Sequence, residues 1–398
     1  MPIAHNIAAL IDATIPSCIA LRHRLHQIPE LMYEEHQTAA LIRQRLIDLS
    51  VPFSSGPDSA PTATIAHIGN PALPCVAFRA DIDALPIQEQ TGLPYQSTMP
   101  GQMHACGHDG HTAALLGVAA VLKQIESTLP VCIKLIWQPA EENGGGAGRL
   151  VDAGLLDGRI GPRPSAIFGL HGWPGLPVGL VSTRSGPIMA SVDNFTATLT
   201  GRGAHGAFPH LSPDPIVAAA DAVLSLQQIV SREIDPVEPA VITLGMLHAG
   251  TSVNVIPPTA TLAGTVRAIS PETRARIRHA VDRRLRGIAL AQNVQLRLTW
   301  TDGYPPTIND PRMTDFLRET VLSTLGQNAF LPAAQPTMGG EDFAFYLQKI
   351  SGCFFFLGLR PENVTDAPGI HHPLFDFNDQ ALPIAIRLFV GLALRFNA

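Results

Sequence analysis

Pro74-Cys75-Val76-Ala77-Phe78-Arg79-Ala80, followed by Asp81-Ile82-Asp83, reads as a buried strand that closes on two carboxylates. An almost continuous apolar run needs cover on both faces, so this strand belongs in a parallel or mixed sheet packed between helices. Residues 131–137 and 165–170 repeat the pattern, the second run leading to Glu141-Glu142 and the third ending at His171. Between the first two lies a helical stretch starting near His111, with Ala113, Leu116, Ala120 and Lys123 along it. Strand, helix, strand is the order of a crossover unit, and open α/β sheets bind ligands in the crevice beyond the carboxyl edge. The acidic and imidazole groups are expected to meet there.

Working outward, residues 15–27 and 35–49 carry apolar side chains at helical spacing, interrupted by Pro29, and read as helices flanking the sheet. Beyond about Ser185 the pattern becomes strand (192–200), helix (214–231), strand (240–248), strand (259–268), helix (271–291) and strand (294–301). This βαββαβ order is the ferredoxin-like plan. After Tyr304-Pro305-Pro306 the chain returns through a helix, the turn Met338-Gly339-Gly340, a strand at 353–357 and a closing helix at 380–396. The expected class is α/β. A first domain with a mixed, mainly parallel sheet flanked by helices takes residues 1–184 and 305–398, and a ferredoxin-like α+β domain is inserted at 185–304.

With 398 residues, 46% of them hydrophobic and only 15% charged, the chain can bury a sizeable core, which excludes a disordered chain. A net charge of -6 gives no electrostatic reason to bind nucleic acid or an anionic membrane, and no segment is long and apolar enough to span one. Small molecules or other subunits are the expected partners. The five cysteines, Cys18, Cys75, Cys106, Cys132 and Cys353, are odd in number and widely spread, unlike a disulfide framework. With no basic N-terminal region and with Asp12 interrupting the early apolar stretch, the expected location is cytoplasmic.

Chemistry concentrates in Met103-His104-Ala105-Cys106-Gly107-His108-Asp109-Gly110-His111, a thiol and three imidazoles just ahead of a helix. Taken singly, each cluster has an ordinary structural explanation: a buried thiol, a hydrogen-bonded histidine, a solvated acidic turn. Together, Cys106, His108, Glu141, Glu142, His171 and the pair His371-His372 provide thiolate, carboxylate and imidazole, enough for two metal ions sharing a ligand. His104 and His111 are weaker candidates, read as supports for the turn and for the first helical turn. A glutamate pair allows one carboxylate to bind metal while the other moves a proton. The helix N-terminus is expected to favour Cys106 as thiolate.

Five ordered motifs carry a family resemblance: Phe78-Arg79-Ala80-Asp81-Ile82-Asp83-Ala84-Leu85-Pro86, His104-Ala105-Cys106-Gly107-His108-Asp109, Gln138-Pro139-Ala140-Glu141-Glu142, Gly203-Ala204-His205 and Met338-Gly339-Gly340-Glu341-Asp342-Phe343. The chain resembles the M20 metallopeptidases over nearly its whole length, in the branch of N-acyl-amino-acid amidohydrolases, hippurate hydrolases and indole-acetyl-amino-acid hydrolases. The resemblance implies two divalent ions (zinc, manganese, cobalt or nickel) bridged by Cys106, with His108, Glu142, His171 and His371 as the other ligands. The wider family has a His-x-Asp motif after the first strand; here Asp81 stands at the histidine position and His108 takes the missing ligand's place. Asp83 then orients an imidazole, and Glu141 is the general base for a metal-activated water that cleaves the amide of an N-acyl amino acid. It also implies that His205 reaches a neighbouring subunit's site to stabilise the oxyanion, and that Asn254, Arg267 and Gly339 bind substrate. The inserted domain becomes a lid and dimerisation domain, making the protein a homodimer or a larger homo-oligomer built from dimers. A dipeptidase or carboxypeptidase is the alternative, and a non-catalytic binding protein is less favoured.

Overall fold

The computed structural model describes residues 5–396. In chain order the elements of its first part are α1 (His5–Gln27), α2 (His36–Asp48), β1 (Phe53–Ser55), β2 (Thr64–Ile68), β3 (Cys75–Asp81), α3 (His108–Gln124), β4 (Cys132–Gln138), α4 (Gly146–Asp152), β5 (Ala166–Pro177) and β6 (Val181–Thr183). There follow β7 (Gly186–Met189), β8 (Asp193–Thr200), β9 (Ala204–His205), α5 (Pro215–Glu233), β10 (Ala240–Ala249), β11 (Val255–Ile256), β12 (Thr259–Ala268), α6 (Pro271–Ala291) and β13 (Gln295–Asp302). The chain closes with β14 (Thr307–Asn309), α7 (Pro311–Thr324), β15 (Phe330–Pro332), α8 (Ala344–Leu347), β16 (Ser351–Arg360) and α9 (Leu382–Arg395). These fall into two compact units: one takes the chain up to Gly186 with Ile308–Ala334 and Asp342 onward, the other Pro187–Thr307 with Gln335–Glu341.

The first unit is built on an eight-stranded sheet in the order β1-β2-β4-β3-β5-β16-β6-β15. Its centre is parallel, β4 with β3, β3 with β5 and β5 with β16, while β1, β2 and β6 join antiparallel. Every residue of β3 and of β4 is buried, as their apolar sequences require. Each fully buried Phe, Leu, Ile or Val contributes roughly 1.5–3 kcal/mol of apolar transfer. Helix α3 is buried from His108 to Leu122 and packs against α1 and α9. It begins three residues before the expected start. Gly107 caps it with φ 86°, a left-handed conformation, and a Cβ on Gly110 would come within 2.4 Å of the Phe377 ring.

One strand differs from its sequence reading. β5 does not end at His171 but continues to Pro177, because β16 pairs along it in parallel, with Phe356 opposite His171 and Gly358 opposite Trp173.

The second unit has a four-stranded antiparallel sheet, β10-β12-β8-β13, and the order β8-α5-β10-β12-α6-β13 is the βαββαβ plan. Phe195, Ala197 and Leu199 of β8 alternate into a core shared with Ala222, Leu226 and Ile229 of α5 and Ile277, Val281 and Leu285 of α6. Both helices start cleanly: Asp214 accepts the Ile216 N–H, and Ser270 accepts the Thr273 N–H. The turn around Gly339, read from sequence as part of the returning chain, groups with this unit. The Ala190 N–H donates to the Thr337 and Gly339 carbonyls. Among the described residues no helix is long and apolar enough to cross a membrane.

Candidate metal centre

Gly107 turns the chain so that Cys106 and His108, on either side of it, both enter the crevice above β3 and β5. His108 is fully buried and donates from Nδ1 to the Asp83 carbonyl at 2.9 Å. Its Nε2 is thereby left facing Asp81 Oδ2 at 3.6 Å and Glu142 Oε1 at 4.0 Å, with no hydrogen-bond partner among the described residues. Cys106 Sγ lies 3.3 Å from His171 Nε2, and His171 is held by its Nδ1 donating to the Gly172 carbonyl at 2.8 Å. Glu142 Oε1 is buried and pairs with His371 Nε2 at 3.1 Å. His371 sits at φ 64°, its N–H donating to the Ala105 carbonyl at 2.8 Å, so its loop is tied to the Cys106 turn. His372 points elsewhere, its Nδ1 accepting the Leu374 N–H.

The glutamate pair is placed by one residue. Asp83 Oδ1 accepts the Glu141 N–H at 3.0 Å and Oδ2 accepts the Glu142 N–H at 2.9 Å, just after Ala140 bends the chain at φ 58°. Both carboxylates therefore reach the region of His108, and the three side chains offer ligand atoms within 4.8 Å of one another. Asp81 with His108 and His111, and Glu141 with Glu341 and Asp342, meet the same spacing, as do two groups more, Cys106 with His108 and His171, and Cys106 with Glu142 and His371. The last two share the thiol.

The electrostatics of the cluster call for a cation. Burial, reinforced by Glu142 and Glu141, pushes the Cys106 thiol well above its ordinary value. The helix N-terminus expected to favour the thiolate is outweighed, because two neighbouring carboxylates and the loss of solvent act against ionisation. Burial alone would lower His108, but Asp81, Asp83 and Glu142 push it up to about 10. Buried polar atoms with too few partners are costly, and divalent ions held among His108, Glu142 and Cys106 would relieve that cost. The donor set of thiolate, imidazole and carboxylate fits a first-row transition ion.

His111 is excluded from that role although it lies nearby. Its Nδ1 is 2.6 Å from Asp81 Oδ1 and its Nε2 accepts the Gly172 N–H at 2.9 Å, so both ring nitrogens are engaged. His104 is buried with neither nitrogen hydrogen-bonded among the described residues, and burial pushes it down to about 3, leaving it neutral. Sequence reading assigned no role to Arg79, whose guanidinium donates to Gln138, Asp81 and Asp342 at 2.8, 2.7 and 2.9 Å. The signal was present: a lone charge inside an apolar strand demands buried partners.

The remaining candidates belong to the second unit. His205 is exposed, paired with Val255 across β9 and β11, and its Nδ1 accepts the Ala207 N–H. No group among the described residues bonds its Nε2. Asn254 is exposed and its Oδ1 accepts from the Ser252 hydroxyl, while Gly339 is exposed in its turn. Arg267 is half-buried on β12, donates to Thr265 and Val266, and has no carboxylate partner among the described residues; burial lowers its pKa.

Comparison with known proteins adds to this geometry. The family model described as Peptidase family M20/M25/M40 matches residues 77–395. The N-acetyl-L-cysteine deacetylase of Bacillus subtilis (strain 168) is 41% identical, over 92% of this chain and 84% of that protein. The IAA-amino acid hydrolase ILR1-like 4 of Arabidopsis thaliana is 38% identical, over 95% of this chain and 85% of its own length. Among solved structures, the Bacillus subtilis YXEP protein, described as a dinuclear metal binding peptidase from the M20 family, superimposes with a TM-score of 0.83 at 37% identity, covering 96% of this chain and 98% of that one.

Proposed function

The chain belongs to peptidase family M20/M25/M40, and from that premise we propose that it is a metal-dependent amidohydrolase that cleaves N-acyl amino acids into a carboxylic acid and a free amino acid. The observation that carries the reading is the pair of ligand groups sharing Cys106, with Glu141 beside them. Similarity to a deacetylase and to an amino acid conjugate hydrolase, both acting on acylated amino acids by name, supports the substrate class.

Cys106, His108, His171, Glu142 and His371 would hold two divalent ions. When bound, such ions polarise the scissile carbonyl and acidify water. Glu141 takes the proton from the attacking water and returns it to the leaving nitrogen, and Asp83 keeps it in reach through the backbone bond to its N–H. His205, with Nε2 available, is the candidate donor to the oxyanion in a neighbouring subunit's site. Arg267, lacking a carboxylate of its own, suits bidentate recognition of the substrate carboxylate, with Asn254 and the Gly339 backbone beside it in that role. The edge strand β10 exposes Met246 and Leu247, and α5 exposes Ile216, Val217 and Leu224, which supports a homodimer of the second unit.

The description of YXEP as a peptidase keeps a dipeptidase or carboxypeptidase as the alternative. Chelated protein is assayed on hippurate, N-acetyl-methionine, an indole-acetyl amino acid and a free dipeptide, before and after adding manganese, zinc, cobalt or nickel. Metal-restored cleavage of the blocked substrates is expected; preference for the dipeptide moves the assignment to peptidase, and no turnover with any metal removes it.

A further inference from the structure

β3 and β4 stop together, with Asp81 opposite Gln138 in register. On the other side of β3, Arg79 pairs with Gly169, which brings Asp81 level with His171 two residues further on. β5 runs past that level, to Pro177, with β16 paired alongside it. On the β3 side, Trp173 therefore stands two residues, about 6.6 Å, beyond the carboxyl ends of β3 and β4, and strand periodicity puts it on the same face as His171. The rings confirm this: Trp173 meets His171 edge to face with centroids 6.1 Å apart, and leans on Phe356 at 4.5 Å.

The indole differs from the aromatic rings of the core. Phe356 beneath it is 7% exposed and fixed opposite His171, whereas Trp173 is only partly buried. No group among the described residues accepts its indole N–H, although tryptophan in a protein interior usually finds such a partner. Gly175 lies beside that edge, where an added Cβ would sit in van der Waals contact, 3.4 Å from the indole nitrogen. A flat apolar surface with a spare donor, beside a metal-ligating histidine, is the composition of a ligand pocket wall.

We propose that Trp173, braced by Phe356, is the platform that receives the acyl group and sets a preference for flat aromatic acyl groups over acetyl. The inference rests on the amidohydrolase reading above. In the metal-loaded protein, Trp173→Ala lowers kcat/KM for an N-benzoyl amino acid by roughly 10- to 100-fold, the loss of one aromatic stacking surface, and changes that for the N-acetyl form of the same amino acid by less than about threefold. Trp173→Phe restores most of the ratio. Independently of turnover, benzoate but not acetate quenches the tryptophan emission of the wild-type protein, and the quench is lost in Trp173→Phe, in which Trp137 and Trp300 remain. Equal losses on both substrates in Trp173→Ala reduce Trp173 to a brace for His171 and overturn the proposal, as does an unchanged ratio. If the wild-type protein cleaves neither substrate with any metal, the amidohydrolase reading fails, while quenching by benzoate still decides whether Trp173 receives an aromatic acid.

Discussion

Arg79 and His108 are both fully buried cations in waiting within the first unit, and carboxylates surround each of them. Arg79 brings its own permanent charge, and its network is closed. Gln138 Nε2 and the Ala147 N–H also bond Asp342, Tyr346 bonds Gln138, and Asp81 is shared between Arg79 and His111. The cluster of Cys106, His108, Glu142, His171 and His371 uses similar residue types but leaves His108 Nε2 without a hydrogen-bond partner among the described residues and Glu142 Oε1 with only the His371 ring beside it. A buried network that balances itself is scaffold, and one that leaves aligned donors and acceptors unbalanced is built for a ligand. Asp81 makes the point most directly. Burial would raise its pKa, yet His108, Arg79 and His111 hold it well below the carboxylate range, so it anchors protein groups from the position where the wider family places a ligand.

The sharpest way to break this contrast is at Glu141, which belongs to the open cluster but is proposed to move protons rather than to bind metal. Glu141→Gln is expected to lower kcat by roughly 100- to 10,000-fold while metal content, measured by atomic emission, stays at the wild-type level. Retained turnover would remove Glu141 as the base. On the closed side, Arg79→Met removes the guanidinium that Asp81 and Asp342 share, leaving Asp342 buried without a cation, and should cost roughly 3–5 kcal/mol in denaturant unfolding. A loss below about 1 kcal/mol would mean that the network is not self-balanced.

Asp83 serves the open cluster, since it holds the backbone of Glu141 and Glu142 and its carbonyl orients His108. Asp83→Asn is expected to weaken metal binding roughly 10- to 100-fold in chelator competition, with a smaller effect on global stability. The mildest test concerns another self-paired group. Burial alone would lower the pKa of His26, but Asp109 and Glu89 raise it to about 9, with Tyr95 and His104 also facing the ring. A raised folded pKa means the charged form is favoured by folding. The His26 contribution should thus be complete below about pH 6.5 and vanish as pH rises through about 9. The difference in Tm between wild type and His26→Asn should shrink over that range; a constant difference would show that His26 acts by packing alone.

Much of the molecule was legible in the chain itself. The apolar runs of β3 and β4 and the periodicity of α3, α5 and α6 each report on burial of neighbouring residues, which is local information. The same reading ranked His108 above His104 and His111 but could not say what engages each ring, because three imidazoles within eight residues have the same composition whatever packs around them. Only the position of Asp81, Gly172 and Asp83 around them separates the engaged ring from the open one. The choice of His371 over His372 as the group beside Glu142 likewise depends on a loop tied to Ala105 far away in sequence.

By itself, then, the sequence determined the α/β class, the ferredoxin-like order of the second unit and the residue types available for metal, since periodicity and composition are properties of short segments. Tertiary structure decided which of those side chains lack a partner, how far β5 runs past β3, and that Trp173 stands beyond the ends of β3 and β4. These are matters of long-range register and of satisfied or unsatisfied polar atoms, and they arise only when distant segments are packed together.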